Sequence, residues 1–179
     1  ESKSVRFRVG ERVIAFPRGG SYRQYAVASE KLTFSIPKEL DLKQAAAMST
    51  VTILSYILLY EIGQVTPEQT IVVHSAAGGV GSTLIQLAKL QHVQRIIATV
   101  GNLEKVDFVK ELGAHEVCTY ADFVDRTLAL TDGVGANVIF DSGAGDVTRA
   151  SMDCLAHYGT LVQFGNSSGK AGQLSTNDV

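Results

Sequence analysis

The sequence predicts an α/β protein: a doubly wound, mostly parallel sheet through the last two thirds of the chain, preceded by a smaller β-rich part. Three observations carry this. Short apolar runs alternate with helix-length amphipathic stretches from about residue 70 onward; a glycine-rich turn follows the first of those runs at once; and the three prolines, Pro17, Pro37 and Pro67, all precede the alternation. Strands that alternate with helices are joined by crossovers, and crossovers give parallel sheets covered on both faces.

The elements follow in order. Val5-Arg-Phe-Arg-Val9 alternates with period two and Arg12-Val-Ile-Ala-Phe16 runs apolar, as short strands do; Gly19-Gly20 reads as a turn before a third candidate strand, Tyr22-Arg-Gln-Tyr-Ala-Val27. A small antiparallel region is expected, with Val and Phe turned inward and arginines turned to water. From residue 42 to about 62 the chain is rich in Ala, Leu and Ile and lacks Gly and Pro, the composition of one or two packed helices, although residues 50–55 are locally β-branched.

After Pro67, Ile71-Val-Val-His74 reads as a strand, Ala76-Ala-Gly-Gly-Val-Gly81 as a turn, and Val80, Leu84, Leu87 and Ala88 recur at helical spacing. Arg95-Ile-Ile-Ala-Thr-Val100 is a second strand. Asn102 can cap the next helix, whose Val106, Val109 and Leu112 share a face, and Gly113 can stop it. Glu116-Val-Cys-Thr-Tyr120 is a third strand before a helix over 121–130. Asn137-Val-Ile-Phe-Asp141 is a fourth, with a Gly143-Ala-Gly145 turn and a helix to about residue 156, and Gly159-Thr-Leu-Val-Gln-Phe164 is a fifth.

Composition sets the limits. At 179 residues the chain is one domain or one and a half, enough for a real core. Sixteen Lys+Arg against 18 Asp+Glu leave a net charge of −2, so no global basic field is present to bind nucleic acid or an acidic membrane. The charge is uneven: residues 1–31 carry +4 and the remainder −6. Cys118 and Cys154 lie far apart outside any CxxC spacing, and His74, His92, His115 and His157 have no mutual spacing for a metal, so neither a disulfide framework nor a metal site is expected. With no basic leader and no run of ~18 or more uncharged apolar residues, the chain reads as soluble and cytoplasmic.

The turn Ala76-x-Gly78-x-x-Gly81 points to function. It follows the first strand of the alternating series and opens a helix, the setting in which backbone N–H groups and a helix N-terminus receive a pyrophosphate. Gly78 lets backbone approach the phosphates and Gly81 lets the helix pack closely on the strand. An NAD site would carry an Asp or Glu at the end of the second strand; that place holds Thr99-Val-Gly-Asn102. Gly101 leaves room there, and Lys105 in the first helical turn opposes the helix dipole unless an anion is near. A 2′-phosphate is such an anion, which favours NADP over NAD, although Glu104 sits beside Lys105.

Two motifs in one stretch point to other chemistry. Gly165-Asn-Ser-Ser-Gly169 fits the G-x-S-x-G pattern, but an elbow must enter a helix and the Lys170-Ala-Gly-Gln stretch is polar, with no histidine after His157 to complete a triad. As a phosphate loop the same stretch is one residue short. It is expected to be a polar loop at the carboxyl end of the fifth strand. No catalytic acid, base or nucleophile stands out, so the catalytic residues are unassigned, which suits hydride transfer from a nicotinamide.

Taken together, Val72-Val-His-Ser-Ala-Ala-Gly-Gly-Val-Gly81, the Thr99-Val-Gly101 strand end with Lys105, Phe140-Asp-Ser142 and Phe164-Gly-Asn-Ser-Ser-Gly169 resemble the zinc-independent quinone oxidoreductases, the zeta-crystallin branch of the medium-chain dehydrogenases/reductases. Gly10-Glu-Arg-Val13 resembles that family's Gly-Asp-Arg-Val strand. The resemblance implies the C-terminal part of a GroES-like catalytic domain over 1–49 and an NADP-binding Rossmann domain over 50–179, incomplete at its end. It implies NADPH as cofactor, with Gly78, Gly79, Val80 and Gly81 at the pyrophosphate and Gly101, Asn102 and Lys105 around the 2′-phosphate. Tyr120 would lie along the adenosine, Ser142 near the middle of the cofactor, and Phe164, Gly165, Asn166 and Ser167 toward the nicotinamide side. The implied activity is reduction of a quinone or another small electrophile such as an enone, by a cytoplasmic protein that is a homodimer at full length.

The resemblance also marks departures. Family members begin and end with further residues, so the chain reads as a fragment expected to be inactive alone. Leu54 stands where the family has a threonine that reaches the nicotinamide. An enoyl-thioester or alkenal C=C reductase on the same scaffold is the alternative, and a non-catalytic NADPH- or RNA-binding protein, supported by the basic segment 3–23, is the alternative from another class.

Overall fold

A computed structural model describes residues 5–175. The chain divides into two compact units, residues 1–50 and 51–179.

The first unit holds little regular structure. Strand β1 (Val13–Ala15) pairs antiparallel with β2 (Thr33–Ser35) over three residues, Val13 facing Ser35 and Ala15 facing Thr33. A one-turn 3₁₀ helix, Glu30–Leu32, leads into β2, and the Ser29 hydroxyl caps it by accepting from the Lys31 N–H. The expected strands at 5–9 and 22–27 do not form, and β2 is a strand the periodicity did not indicate. Val9 is 92% exposed and Tyr25 88% exposed. Alternation supplies one apolar face, and a face becomes a strand only when its backbone pairs with a neighbouring strand; among the described residues no strand pairs with either segment, although Arg6 reaches the Glu30 carbonyl with its guanidinium. Arg12 does more than face water: its guanidinium donates to the carbonyls of Pro37, Lys38 and Leu40. Lys3, in the basic segment, lies outside the described residues, as does the chain end from 176.

Helix α1 (Leu42–Tyr56) runs on through a π-helical segment, Ile57–Ile62, in which the Gly63 N–H reaches back to the Leu58 carbonyl at 2.8 Å. Asp41 caps its start, its Oδ1 accepting from the N–H groups of Lys43 and Gln44. The 21 continuous helical residues have a mean hydropathy of 1.5, long and apolar enough to cross a membrane by length and composition. That corrects the expectation of no such stretch. The run was missed because Lys43 and Glu61 sit at its ends and serines and threonines interrupt it. Ser55, Leu58 and Leu59 are buried, and the Ser55 hydroxyl donates to the Val80 carbonyl at 3.2 Å, while Leu42, Met48, Ile53, Tyr56, Ile57 and Ile62 of the same stretch are exposed.

The second unit is a five-stranded parallel sheet in the order β5–β4–β3–β6–β7, formed by β3 (Thr70–Val73), β4 (Arg95–Val100), β5 (Glu116–Thr119), β6 (Ala136–Asp141) and β7 (Leu155–Gln163). Helices α2 (Gly79–Leu90), α3 (Val106–Leu112), α4 (Phe123–Leu130) and α5 (Asp146–Met152) make the crossovers. The central strands are apolar at nearly every position because both faces are covered. One face packs Ile71, Val73, Ile96, Ala98, Val138 and Phe140 against Leu84, Ile85 and Val109; the other sets Val72, Ile97 and Ile139 against Phe123. This is the α/β doubly wound fold the sequence predicts.

Caps end the elements where their residues allow. Asn102 accepts from the Glu104 N–H and opens a 3₁₀ turn (Leu103–Lys105) leading into α3, and Gly113 stops that helix at φ 124°, a conformation only glycine takes without strain. At the far edge the fifth strand starts earlier than its sequence indicates: β7 begins at Leu155, where a helix was expected to run to about 156. The Ala136 N–H reaches the Cys154 carbonyl at 2.8 Å, and a bulge between Ala136 and Val138 absorbs the mismatch.

Candidate functional site

A cavity of ≈ 470 Å³ opens at the carboxyl ends of the sheet. Every strand contributes to its wall: Ser75, Ala77 and Gly78 follow β3, Val100, Gly101 and Lys105 end and follow β4, Tyr120 follows β5, Gly143 and Val147 follow β6, and Ser167 and Ser168 follow β7. The chain order reverses between β3 and β6, where a doubly wound sheet leaves a crevice that helices on opposite faces cannot fill.

The turn after β3 is built by close approach. A Cβ on Gly81 would come within 2.5 Å of the Ser75 carbonyl oxygen and 2.8 Å of Ala76 Cα, so α2 can begin this near its strand only with glycine there. Ser75 is a non-glycine residue at φ 51°, a left-handed conformation that costs energy unless its surroundings hold it. Tyr120 supplies the hold: its hydroxyl accepts from the Ser75 N–H at 2.8 Å and lies 3.1 Å from the Ser75 hydroxyl. No side chain caps α2 at Gly78, so the first N–H groups of the helix are left to the cavity side of the turn.

Around β4 the polar groups are sorted. Gly101 has nothing within 4 Å of the position a Cβ would take, an open space beside the cavity. The Asn102 amide donates to the Glu104 carboxylate at 2.9 Å, which turns Glu104 toward its own cap and leaves Lys105 as the cation on the wall. After β6, the buried Asp141 carboxylate accepts from the N–H groups of Gly143 (2.7 Å) and Ala144 (3.1 Å) and from the Thr148 hydroxyl, fixing the loop that carries Ser142. Ser142 Oγ is buried and has no hydrogen-bond partner. Its carbonyl accepts from the Ser167 N–H at 2.9 Å, which ties the loop after β7 to the loop after β6.

Of the residues singled out from the sequence, Gly78, Gly101, Lys105, Tyr120 and Ser167 line the cavity. Gly79, Val80 and Gly81 sit in the first turn of α2, Val80 packed on the core. Asn102 is occupied as a cap. Gly165 lies against the Ser142 backbone, where a Cβ would meet its carbonyl at 2.8 Å; Asn166 is exposed; and Phe164 packs against the hydrophobic core rather than the cavity wall. Ser75, Val100, Gly143, Val147 and Ser168 were not singled out, although each sits at or just past the carboxyl end of a strand or on the helix that follows, and that position was the available signal. The 165–169 loop enters no helix among the described residues.

Burial pushes the Cys118 thiol up to about 12 and the Cys154 thiol up to about 11, so both stay protonated, apolar and unpaired. Leu54 is partly buried against the core. Among the described residues no three His, Cys, Asp or Glu side chains come together as a metal-ligand set.

Comparisons with known proteins agree with this geometry. The zinc-binding dehydrogenase family pattern matches residues 79–179. A quinone oxidoreductase of Pseudomonas aeruginosa is 38% identical over 172 residues, 94% of this chain and 52% of that protein. A 2-haloacrylate reductase from Burkholderia is 32% identical over 171 residues, 92% of this chain and 51% of that protein. The crystal structure of an Escherichia coli quinone oxidoreductase complexed with NADPH superposes with a TM-score of 0.88 at 31% identity, over 96% of this chain and 53% of that one. The chain thus spans about half the length of the relatives it matches. A five-stranded parallel sheet, a glycine turn under the first helix and a family pattern covering more than half the chain meet in one conclusion: the chain belongs to the zinc-binding dehydrogenase family, with quinone oxidoreductases of the medium-chain dehydrogenase/reductase superfamily among its relatives.

Proposed function

We propose that this chain is the cofactor-binding part of an NADPH-dependent oxidoreductase acting on a small electrophile. The observation that carries the reading is the cavity at the switch point, which joins an uncapped helix N-terminus to a lysine; Ser142, with an unpartnered buried hydroxyl, directly precedes Gly143 of its wall. The residues fit a dinucleotide phosphate. The N-terminal N–H groups of α2, behind Gly78, would receive the pyrophosphate. Lys105, with Gly101 leaving the space beside it, would hold the 2′-phosphate, and Tyr120 would flank the adenosine. Ser142 Oγ, which otherwise wastes a buried donor, would find its partner on the cofactor.

When bound, the nicotinamide supplies a hydride to the acceptor. The chain's own residues bind and orient it, and the loops after β6 and β7, tied together through Ser142 and Ser167, wall that side of the cavity from water. A quinone is one acceptor of the right electrophilicity. An activated C=C bond is the second reading, favoured by the similarity to a reductase of 2-haloacrylate. This chain alone is expected to bind NADPH weakly and to lack turnover.

The test is a comparison of cofactors. Lys105→Ala should weaken NADPH by about tenfold or more, the size of one charge-assisted contact, and leave NADH nearly unchanged. Equal effects on both, read by nicotinamide fluorescence titration, would remove the 2′-phosphate assignment. Steady-state NADPH oxidation with 1,4-benzoquinone and with an enone then separates the two acceptor classes.

A further inference from the structure

His74 is fully buried at the end of β3, directly before the turn that builds the cavity, and its backbone N–H donates to the Phe140 carbonyl. Both ring nitrogens are engaged: Nδ1 lies 2.9 Å from Thr99 Oγ1 on β4, and Nε2 lies 3.0 Å from Ser151 Oγ on α5. The donors can be assigned. The Ser151 hydroxyl has one proton and donates it to the Val147 carbonyl at 2.7 Å, so toward His74 it can only accept. Nε2 therefore carries the ring proton, and Nδ1 accepts from the Thr99 hydroxyl. The imidazole is held as one neutral tautomer, pinned across three elements.

That ring faces two aromatic neighbours. Tyr120 stacks on it, centroids 5.6 Å apart and planes inclined by 27°, and Phe123 of α4 meets it edge-on at 4.9 Å and 88°. Tyr120 is the residue that lines the cavity and holds Ser75 in its left-handed conformation. We propose that His74 is a positioning residue for the cofactor: pinned by Thr99 and Ser151, it fixes the Tyr120 ring, and through it the strained Ser75 turn, in the geometry that binds the dinucleotide. The proposal rests on the NADPH reading above.

The charged surroundings are consistent with a permanently neutral ring. The groups facing it are Thr99 from β4, Ser151 from α5, Phe123 from α4, Tyr120 after β5, and Asp141 from β6, whose carboxylate is already engaged by Gly143, Ala144 and Thr148. Burial holds the imidazole down to about 4, against a smaller opposing pull from Asp141.

The experiment is a double-mutant cycle on NADPH affinity, with thermal stability measured alongside. His74→Phe keeps the ring but removes both pins; Ser151→Ala removes only the Nε2 partner and serves if the first variant does not fold. Each should weaken NADPH several-fold, up to about tenfold, in the presence of Tyr120, and by less than about twofold once Tyr120→Ala has removed the wall they act through. Independent, additive losses, or losses of melting temperature with affinity intact, overturn the proposal. Histidine nitrogen resonances give a second readout: one Nε2–H ring that stays neutral to pH 5 is expected, and a ring titrating near 6.5 overturns it. A wild-type chain that binds no NADPH sinks the cofactor reading and this proposal with it, whereas binding that is indifferent to His74 sinks this one alone.

Discussion

The two units of this chain treat apolar residues in opposite ways. In residues 51–175 the inner strands β3, β4 and β6 are apolar at almost every position and buried, and each is followed in the sequence by a helix that packs on the sheet. In residues 5–50 the apolar residues alternate with arginine and polar side chains, and Val5, Val9, Tyr22, Tyr25 and Val27 end up exposed, leaving a hairpin of two three-residue strands. A βαβ series brings its own cover with it. A period-two strand shows one face to something else, and whether that face is buried depends on chain that lies elsewhere.

The comparison can be broken most directly at Phe140, fully buried on the central strand pair of β3 and β6. Phe140→Ala should cost about 3–5 kcal/mol of stability, read by denaturant unfolding, because the sheet and the helices above it cannot collapse onto the void. A loss below about 1 kcal/mol would mean the second unit is not the rigid body its packing describes.

The next effect is on pH dependence. His74 sits near 4 in the folded chain and near 6.5 when unfolded. The unfolded chain therefore takes up the proton first, so stability is complete above about pH 6.5 and falls as the pH drops toward 4. The loss is on the order of 3 kcal/mol over that window. Unfolding free energies measured between pH 7 and 4 should show this slope in the wild type and lose most of it in His74→Phe; an unchanged slope would assign the acid sensitivity to other groups.

The smallest effect belongs to the first unit. Tyr25→Ser should change stability by less than about 0.5 kcal/mol, since a side chain already in water loses nothing on truncation. A larger loss would show that Tyr25 is covered in solution, and would sharpen the comparison by identifying what a half-buried pattern is waiting for.

How far the sequence reached follows the same physics. Strand β4 was legible residue for residue, and Asn102 and Gly113 marked the ends around α3, because caps and continuous apolar runs are local signals. The turn at 76–81 was legible because a helix that starts so close to its strand demands glycine. The early start of β7 was not, because Leu155-Ala-His-Tyr becomes a strand only through pairing with Ala136 across a bulge. Of the cavity wall, Gly78, Gly101, Lys105 and Ser167 were found, with Tyr120 found through resemblance. Val147 and Ser168 were missed because nothing in their neighbours along the chain separates them from solvated residues.

His74 shows where the boundary lies. Read along the chain it is one of four histidines with no ligand spacing, and nothing in its sequence neighbourhood singles it out. Sequence alone determined the doubly wound fold, the order of its elements and the glycine turn, since each depends on residues within a turn or two of one another. Tertiary structure decided that Thr99, Ser151 and Tyr120, separated from His74 by 25, 77 and 46 positions, converge on one imidazole. It also decided that Glu104 turns to its cap while Lys105 faces the cavity. Hydrogen-bond partners and ring contacts across a sheet are set by strand order and register, and those are settled only when the whole unit packs.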